Sequence, residues 1–518
     1  MENYIGITFG PITRITEAAK STKALWGSSY FFSYLAQNII SEFKKRTFIY
    51  PVVDKEELWN ARNGIGCFPD RYVFQAAEED FKELTKKIDE VLNGISNEIT
   101  KTLNEAENNK EKKSEKYEKK EVKNNDVLSF LQNYIKIYCL EKEPECKNIA
   151  NEFNSIFDFL EMQDVYNLEE KENYLLQFLE SKELYNSFLA KFAFDKNEQY
   201  FDAIDSIADI ECKGSTDIKP MAYHQYIAVI SADGDNMTST INSMSELERS
   251  IADLSEQLFA FGQATIDIAA DYGARIIFSG GDDLLIFSPL KYKGKTVFDL
   301  VEKISEIFNE KMKDLPSPPT ISFGIAISYV KFPMGEALAY AREQLSTAKK
   351  GTKNSVVSRL HKHSGQTSIL KQKKNKGSYQ KALQLIRTNV GNELFLNSLT
   401  YWFEKNMQIL TVILSEEKQE QKEDRMKIFL SNSLNEDIHK EEKRKEFIQE
   451  VGLYLCQYHE ELQQELADSK NKAKSEDGTY SEVRDSTNSK SDSLEKQAID
   501  ATVSLLRLIH FINTKRHE

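Results

Sequence analysis

Apolar positions along this chain recur at two different spacings, and the places where one gives way to the other mark its elements. Residues 3–10, NYIGITFG, read as a strand, and the spacing of Leu25, Trp26, Tyr30, Phe31, Leu35 and Ile39 predicts one long amphipathic helix from Ile15 through Phe43. Thr47 to Val53 reads as a second strand. The glycine-containing run from Asn63 to Asp70 then enters a third strand, Arg71 to Ala76, followed by a helix from Glu78. Strand, helix, strand, turn, strand, helix is a palm-like α+β order.

From about Leu92 to Leu189 the pattern turns helical and polar. Lys101 to Asn125 is nearly all Lys, Glu and Asn of mixed sign, which predicts a solvated helix or a disordered insertion, and Val127 to Ala193 reads as a small helical insert. A second unit begins with the apolar run Tyr226 to Ala232 and ends it in Asp233-Gly234-Asp235-Asn236-Met237-Thr238-Ser239. A helix from Leu247 to Tyr272 follows. Two short apolar runs, Arg275–Phe278 and Leu284–Phe287, then flank Gly280-Gly281-Asp282-Asp283, the pattern of a tight hairpin. A helix from Thr296 to Met312, a strand from Thr320 to Tyr329 and a helix from Met334 to Lys350 complete the order β-α-β-β-α-β-α, a ferredoxin-like palm with an added helix.

The first 80 residues repeat the opening half of that palm, which implies an internal duplication with the acids in one copy only. The expected division is a first, acid-free palm in 1–91, a mostly helical insert returning to it in 92–222, the second palm in 223–351 and a helical C-terminal domain in 352–518. Ala467 to Lys496, rich in Ser, Asp, Asn and Lys, is expected to be a disordered loop within the last of these.

Composition narrows the function classes. A net charge of −14 and a pI near 5.3 give no sign of a surface built for nucleic acid, which leaves local basic patches or partner subunits to hold any RNA. No apolar run reaches the roughly 18 residues of a membrane span, and Met1-Glu2-Asn3-Tyr4-Ile5 is neither a signal nor a transit peptide, so a cytoplasmic protein is expected. The five cysteines are odd in number and scattered, and Cys139 and Cys146 lack Cys-x2-Cys spacing, so reduced thiols are expected rather than disulfides or a zinc knuckle. All seven histidines lie after residue 223 and none is followed by Asp, so the first 223 residues cannot hold a His-Asp metal nuclease site.

The candidate chemistry sits in the second palm. Adjacent Asp282 and Asp283 repel, and a turn gains from only one Asx-type hydrogen bond; a divalent cation would remove the repulsion. A strand ending in Asp233 beside the hairpin would bring Asp233, Asp282 and Asp283 together as hard oxygen ligands for Mg²⁺ or Mn²⁺, in a two-metal site suited to nucleotidyl transfer. Gly280 and Gly281 would let a nucleotide approach the backbone. Gly234, Asn236, Met237 and Thr238 would present N–H groups at a helix start, a cradle for a triphosphate. Asp235 would orient ligands or face solvent; Ser279 and Thr238 would touch phosphate or cap turns. Lys349 and Lys350 could reach the same phosphates or simply complement a helix C-terminus.

Four stretches of the chain carry a family resemblance: SADGDNM at 231–237, FSGGDDLLIF at 278–287, AREQLSTAKK at 341–350 with the downstream LHKHSGQ, and YIGITFGPI with TKALWGSSYFFSYLAQNII near the N-terminus. They resemble the Cas10 family, the large subunit of type III CRISPR effector complexes, in its Cmr2 (type III-B) branch. Where that branch carries Pro-Asn-Arg-Phe, this chain has Pro69-Asp70-Arg71-Tyr72. The resemblance implies a nucleotidyltransferase that joins ATP 3′ to 5′ into cyclic oligoadenylates once target RNA binds through CRISPR RNA and partner Cmr-type subunits. It makes Asp233, Asp282 and Asp283 the metal-binding acids, Lys349 a phosphate contact and the first palm the second nucleotide site. Some relatives that lack the His-Asp nuclease domain join AMP to S-adenosylmethionine instead, and this chain opens on its first palm without that domain. A GGDEF-type diguanylate cyclase is the nearest rival reading, disfavoured by Asp283 and Leu284 where that motif has Glu and Phe. A purely architectural subunit is the other.

Overall fold

The computed structural model describes residues 3–51, 53, 59, 64–111, 121–143, 149–163, 172–193, 204–212, 221–246, 251–388, 393–433, 441–475 and 493–514. The fold is α+β, built on two sheets with helices between and around them.

The first sheet has the order β2-β3-β1-β4, with β1 at Tyr4–Gly10, β2 at Phe48–Tyr50, β3 at Arg71–Gln75 and β4 at Lys136–Lys142. With helices after β1 and β3, this is the ferredoxin-like arrangement. Leu25, Trp26, Phe31, Leu35 and Ile39, the stripe expected from their spacing, are buried and pack against Ile5, Ile7 and Phe74 of the sheet. The other face carries the helix Ile149–Gln163 through Phe153 and Phe157, and the approach is close enough that a side chain at Gly6 would strike both rings.

Two expectations for this half need correction. The long helix is two, Ile12–Ala18 and Thr22–Ile40, because the Ser21 hydroxyl caps the second by accepting from the Ala24 N–H at 3.2 Å. The insert is not wholly helical, since Lys136–Lys142 pairs antiparallel with β1 and closes the sheet. The polar stretch after Lys101 takes the helical of its two expected forms, continuing a single helix, Asp80–Glu111; 112–120 lie outside the described residues.

The second sheet has six strands in the order β12-β11-β10-β5-β7-β6. β5 is Tyr226–Asp235, β6 Arg275–Gly280, β7 Asp283–Pro289 and β10 Thr320–Tyr329; β8 (Lys291–Tyr292) and β9 (Lys295–Thr296) form a small separate hairpin. β10-β5-β7-β6 is the expected palm, but the sheet does not stop at residue 351. β11, Ser355–His361, runs parallel to β10, and β12, Thr367–Lys373, pairs antiparallel with β11. The tail beyond is helical, and the helix Glu442–Ser475 takes up the first part of the expected loop at 467–496; 476–492 lie outside the described residues.

The parity of β5 and β7 divides two cores. Ala228, Ile230, Ala232, Leu284 and Ile286 face the helices Ile251–Ala269 and Val297–Met312 in a cluster that continues into the C-terminal helices. Ile227, Val229, Leu285 and Phe287 face the other way and share a cluster with the first palm and the helix Met334–Lys349. The two palms are therefore held by one apolar layer, and an isolated bridge between Gly66 and Phe278 joins them by backbone. Among the described residues no helix is long and apolar enough to cross a membrane.

The helix Met334–Lys349 lies so close on β10 that a Cβ at Gly324 would run into the backbone of Ala341 and Leu345. Gly324→Ala is expected to lower stability by about 2 kcal/mol through forced separation of helix and strand. The midpoint of urea unfolding measures it, and an unchanged midpoint would show that the contact is not tight.

Candidate functional site

β5 ends in Asp233-Gly234-Asp235 and β7 begins at Asp283, and the last pair between them is Ala232 with Leu284. Asp233 and Asp283 lie one step beyond that pair on neighbouring strands. Both share the parity of the residues that face the first palm, so the two carboxylates converge on that face, at the mouth of the cleft between the palms. The connecting turn needs Gly281, whose φ is +68°, and open space surrounds Gly280 and Gly281. A ligand can come against the backbone there.

Asp282 folds back over β5. Its carboxylate accepts from its own N–H and that of Gly234, and a Cβ at Gly234 would stand 2.6 Å from Asp282 Oδ2. Only glycine fits. Burial raises the Asp282 carboxyl, while those two N–H groups hold it down. Asp283 is pushed up to about 7, by burial first, then by Asp282 and by Asp70. Asp283 and Asp70 both reach solvent at the surface, yet each stands in a cleft walled by protein that leaves the charged form poorly hydrated.

Asp70 departs from the expectation of an acid-free first palm. It sits where the chain enters β3, with its carbonyl accepting from the Phe9 N–H at 2.9 Å, and burial raises its carboxyl against the pull of Arg71. Arg71 is committed elsewhere, to Asp158 and Glu161 at 2.7 Å each. The Pro69-Asp70-Arg71-Tyr72 run was the available signal, but only the packing of the two palms carries Asp70 toward Asp283.

The remaining predicted residues divide. Lys349, last in its helix, contacts the Asp233 carboxylate and donates to the Gly234 carbonyl at 3.0 Å. Burial and then Lys353 pull its ammonium down to about 8. Asn236 is exposed at φ +61° and accepts from Lys353 Nζ at 2.7 Å, a cation that motif spacing missed. Met237 and Thr238 open the helix Met237–Glu246, with first-turn N–H groups that lack intrahelical partners.

Two candidates do not join them. Asp235 is fully buried and accepts from Thr320 Oγ1 at 2.7 Å, Ser322 Oγ at 2.9 Å and the Asn354 N–H at 3.0 Å, so its carboxylate pins three strands and is closed to ligand. Ser279 lies on the opposite face of the sheet, with its buried hydroxyl against Gly262 of the helix Ile251–Ala269 and no hydrogen-bond partner.

Among the described residues no three His, Cys, Asp or Glu side chains stand together closely enough to hold a metal, because Asp233 is engaged with Lys349 and Asp282 with backbone. The donor chemistry nevertheless suits a hard divalent cation: carboxylates on the hairpin turn and at the neighbouring strand end, with Asp283 raised by burial and then by the acids Asp282 and Asp70.

Two family models match the chain: the second palm domain of Cas10/Cmr2 over residues 226–357, and the N-terminal region of the CRISPR-associated protein Cmr2 over residues 4–111. Among solved structures, a chain of the type III-B Cmr-beta assembly in its apo state is similar with a TM-score of 0.54 at 11% identity, covering 84% of this chain and 77% of that one. A chain of Cmr-beta bound to cognate target RNA gives 0.52 at 11% identity, with 84% and 79% covered. At such identity the likeness is one of fold. No curated protein matches the sequence.

An aspartate titrating near 7 in the fold and near ~4 when unfolded stabilises the fold at low pH, and that contribution is lost as pH rises through 7. With metal chelated, the melting temperature of the wild type should therefore fall more steeply between those two pH values than that of Asp283→Asn. Equal slopes in the two proteins would mean that Asp283 is not crowded.

Proposed function

The chain belongs to the Cas10/Cmr2 family, and from that premise we propose that it is the nucleotidyltransferase subunit of a type III CRISPR effector assembly, converting ATP into an adenylate second messenger. The reading rests above all on the placement of Asp233 and Asp283 at the ends of adjacent strands, on one face, with a helix N-terminus just beyond. Asp282, Asp283 and Asp233 are the catalytic acids in this reading. Partner Cmr-type subunits, CRISPR RNA and target RNA supply the trigger.

The reaction forms a bond from a 3′-hydroxyl to the α-phosphorus of ATP and breaks the bond to pyrophosphate. Asp233, Asp282 and Asp283 would hold Mg²⁺ or Mn²⁺, which would supply positive charge beside the attacking hydroxyl and the phosphate. The N–H groups of Met237 and Thr238 receive the triphosphate, and Gly280 and Gly281 leave room for it along the turn. Lys349 turns from Asp233 to phosphate when the nucleotide arrives, an exchange of one anion for another. The acceptor lies across the cleft, on the first palm near Asp70, where its 3′-hydroxyl faces Asp283. An acceptor of ATP leads to a cyclic oligoadenylate; an acceptor of S-adenosylmethionine leads to an AMP conjugate.

Asp282→Ala with Asp283→Ala should abolish product while leaving folding and assembly intact, because both residues lie on a turn outside the apolar cores. The measurement is chromatography with mass detection after incubating the assembly with ATP, Mg²⁺ or Mn²⁺ and matching target RNA, with and without S-adenosylmethionine. A ring and a conjugate differ in mass. A wild-type assembly that releases neither would favour an architectural role.

A further inference from the structure

The end of the second sheet remote from the acids carries a cavity that nucleotidyl transfer does not use. β11 leaves Asn354 beside Asp235 and arrives at His363, whose N–H donates to the hydroxyl of Tyr226, the first residue of β5, at 2.9 Å. The hairpin that follows is tied by the Lys362 N–H to the Gln366 carbonyl and by the Gly365 N–H to the Lys362 carbonyl, both at 2.9 Å. Between this hairpin and the helices Glu393–Lys405 and Leu494–Asn513 lies a cavity of about 240 Å³, lined by Lys362, Asn397, Tyr401, Arg507 and His510 among others.

The charges around it do not balance locally. Arg507 pairs with Glu404 at 2.6 Å, which leaves that carboxylate engaged. Lys362 is half-buried and, among the described residues, has no ion-pair partner. Its nearest aromatic contact is the Phe511 ring at 6.0 Å, at the limit for a cation over a ring. Burial and then Arg507 lower its ammonium, as befits a half-buried cation set beside a second one. Burial also lowers His510, with Lys362 adding to the effect and Glu393 opposing it, so the imidazole acts as a neutral hydrogen-bonding group. A half-buried ammonium next to a guanidinium is unfavourable unless an anion joins them.

The rest of the wall identifies the anion's company. Tyr401 lies on the cavity wall 64% exposed, and the amide of Asn397 is exposed one helical turn from it. A phosphate alone leaves much of the cavity empty. An aromatic face with an amide beside two cations matches the parts of a nucleotide: base on ring, base edge on amide, phosphate on cations.

We propose that this cavity binds the phosphate and base of a nucleotide, with Lys362 and Arg507 on the phosphate and Tyr401 under the base. The nucleotide is either free or the 5′-phosphorylated end of an RNA strand, which present the same groups. The site lies at the opposite end of the strands from Asp233 and needs no metal.

Equilibrium dialysis of the full chain, with metal chelated, against AMP, a 5′-phosphorylated oligoadenylate and inorganic phosphate tests this. Lys362→Gln should weaken all three by about tenfold. Tyr401→Ala should weaken AMP and the oligonucleotide but leave inorganic phosphate unchanged. Tighter binding of the oligonucleotide than of AMP assigns the site to an RNA end; equal binding assigns it to free nucleotide. Thermal melting checks that each variant folds, and Tyr401→Ala, at an exposed position, remains informative if Lys362→Gln does not. Absence of binding to the wild type, or binding unaffected by both cavity variants, would overturn the proposal.

Discussion

Carboxylates brought together in a protein-walled cleft are poorly hydrated and repel one another, and the architecture of this chain is arranged to bear that cost at one place. Asp282, Asp283 and Asp70 each have a raised carboxyl, with burial the largest cause in every case. The strain is carried by the sheet rather than by the turn. Asp235, two residues from Asp233, is fixed by two hydroxyls and one backbone N–H, and burial pushes Lys374, whose nearest opposing charge is Asp235, down to about 7. A strand end anchored in this way cannot relax away from its neighbour, so the acids stay close whether or not anything neutralises them.

Much of this was readable from residue order. Long alternating or continuous apolar runs such as 226–232 and 320–329 have no plausible alternative to a core strand, and the Gly280–Asp283 turn declares itself by composition. What escaped was decided by tertiary contacts. β4 is a half-buried edge strand whose apolar residues run together without the alternation of a strand, so its pairing with β1 is what makes it one. β11 and β12 follow a helix that looked like the palm's last element, and nothing local announces that the sheet resumes.

Side-chain direction was harder still. Ser279 lies next to the turn in sequence, but a register shift between Ile276 and Phe278 resets which residues of β6 face which way, and a bulge cannot be counted from sequence. Asp70 belongs to a different palm from the acids that it approaches, so its role depends on how two apolar faces meet. Asp235, expected to orient ligands or face solvent, is instead claimed by a hydroxyl-bearing neighbouring strand.

The continuation of the sheet into β11 and β12 bears on what can be exchanged between relatives. The two outer strands are followed at once by the helix Gly377–Arg387, whose first turn is capped by Glu461 from the long helix of the tail through the Ser378 N–H at 3.0 Å. Cutting at the glycine after the last palm helix would strip β10 of its outer partner, β11, and leave a row of unpaired backbone groups open to other chains. The smallest heritable piece that carries the acids is thus the palm together with its tail, and recombination among such proteins should find its tolerated junctions before β5 rather than after it.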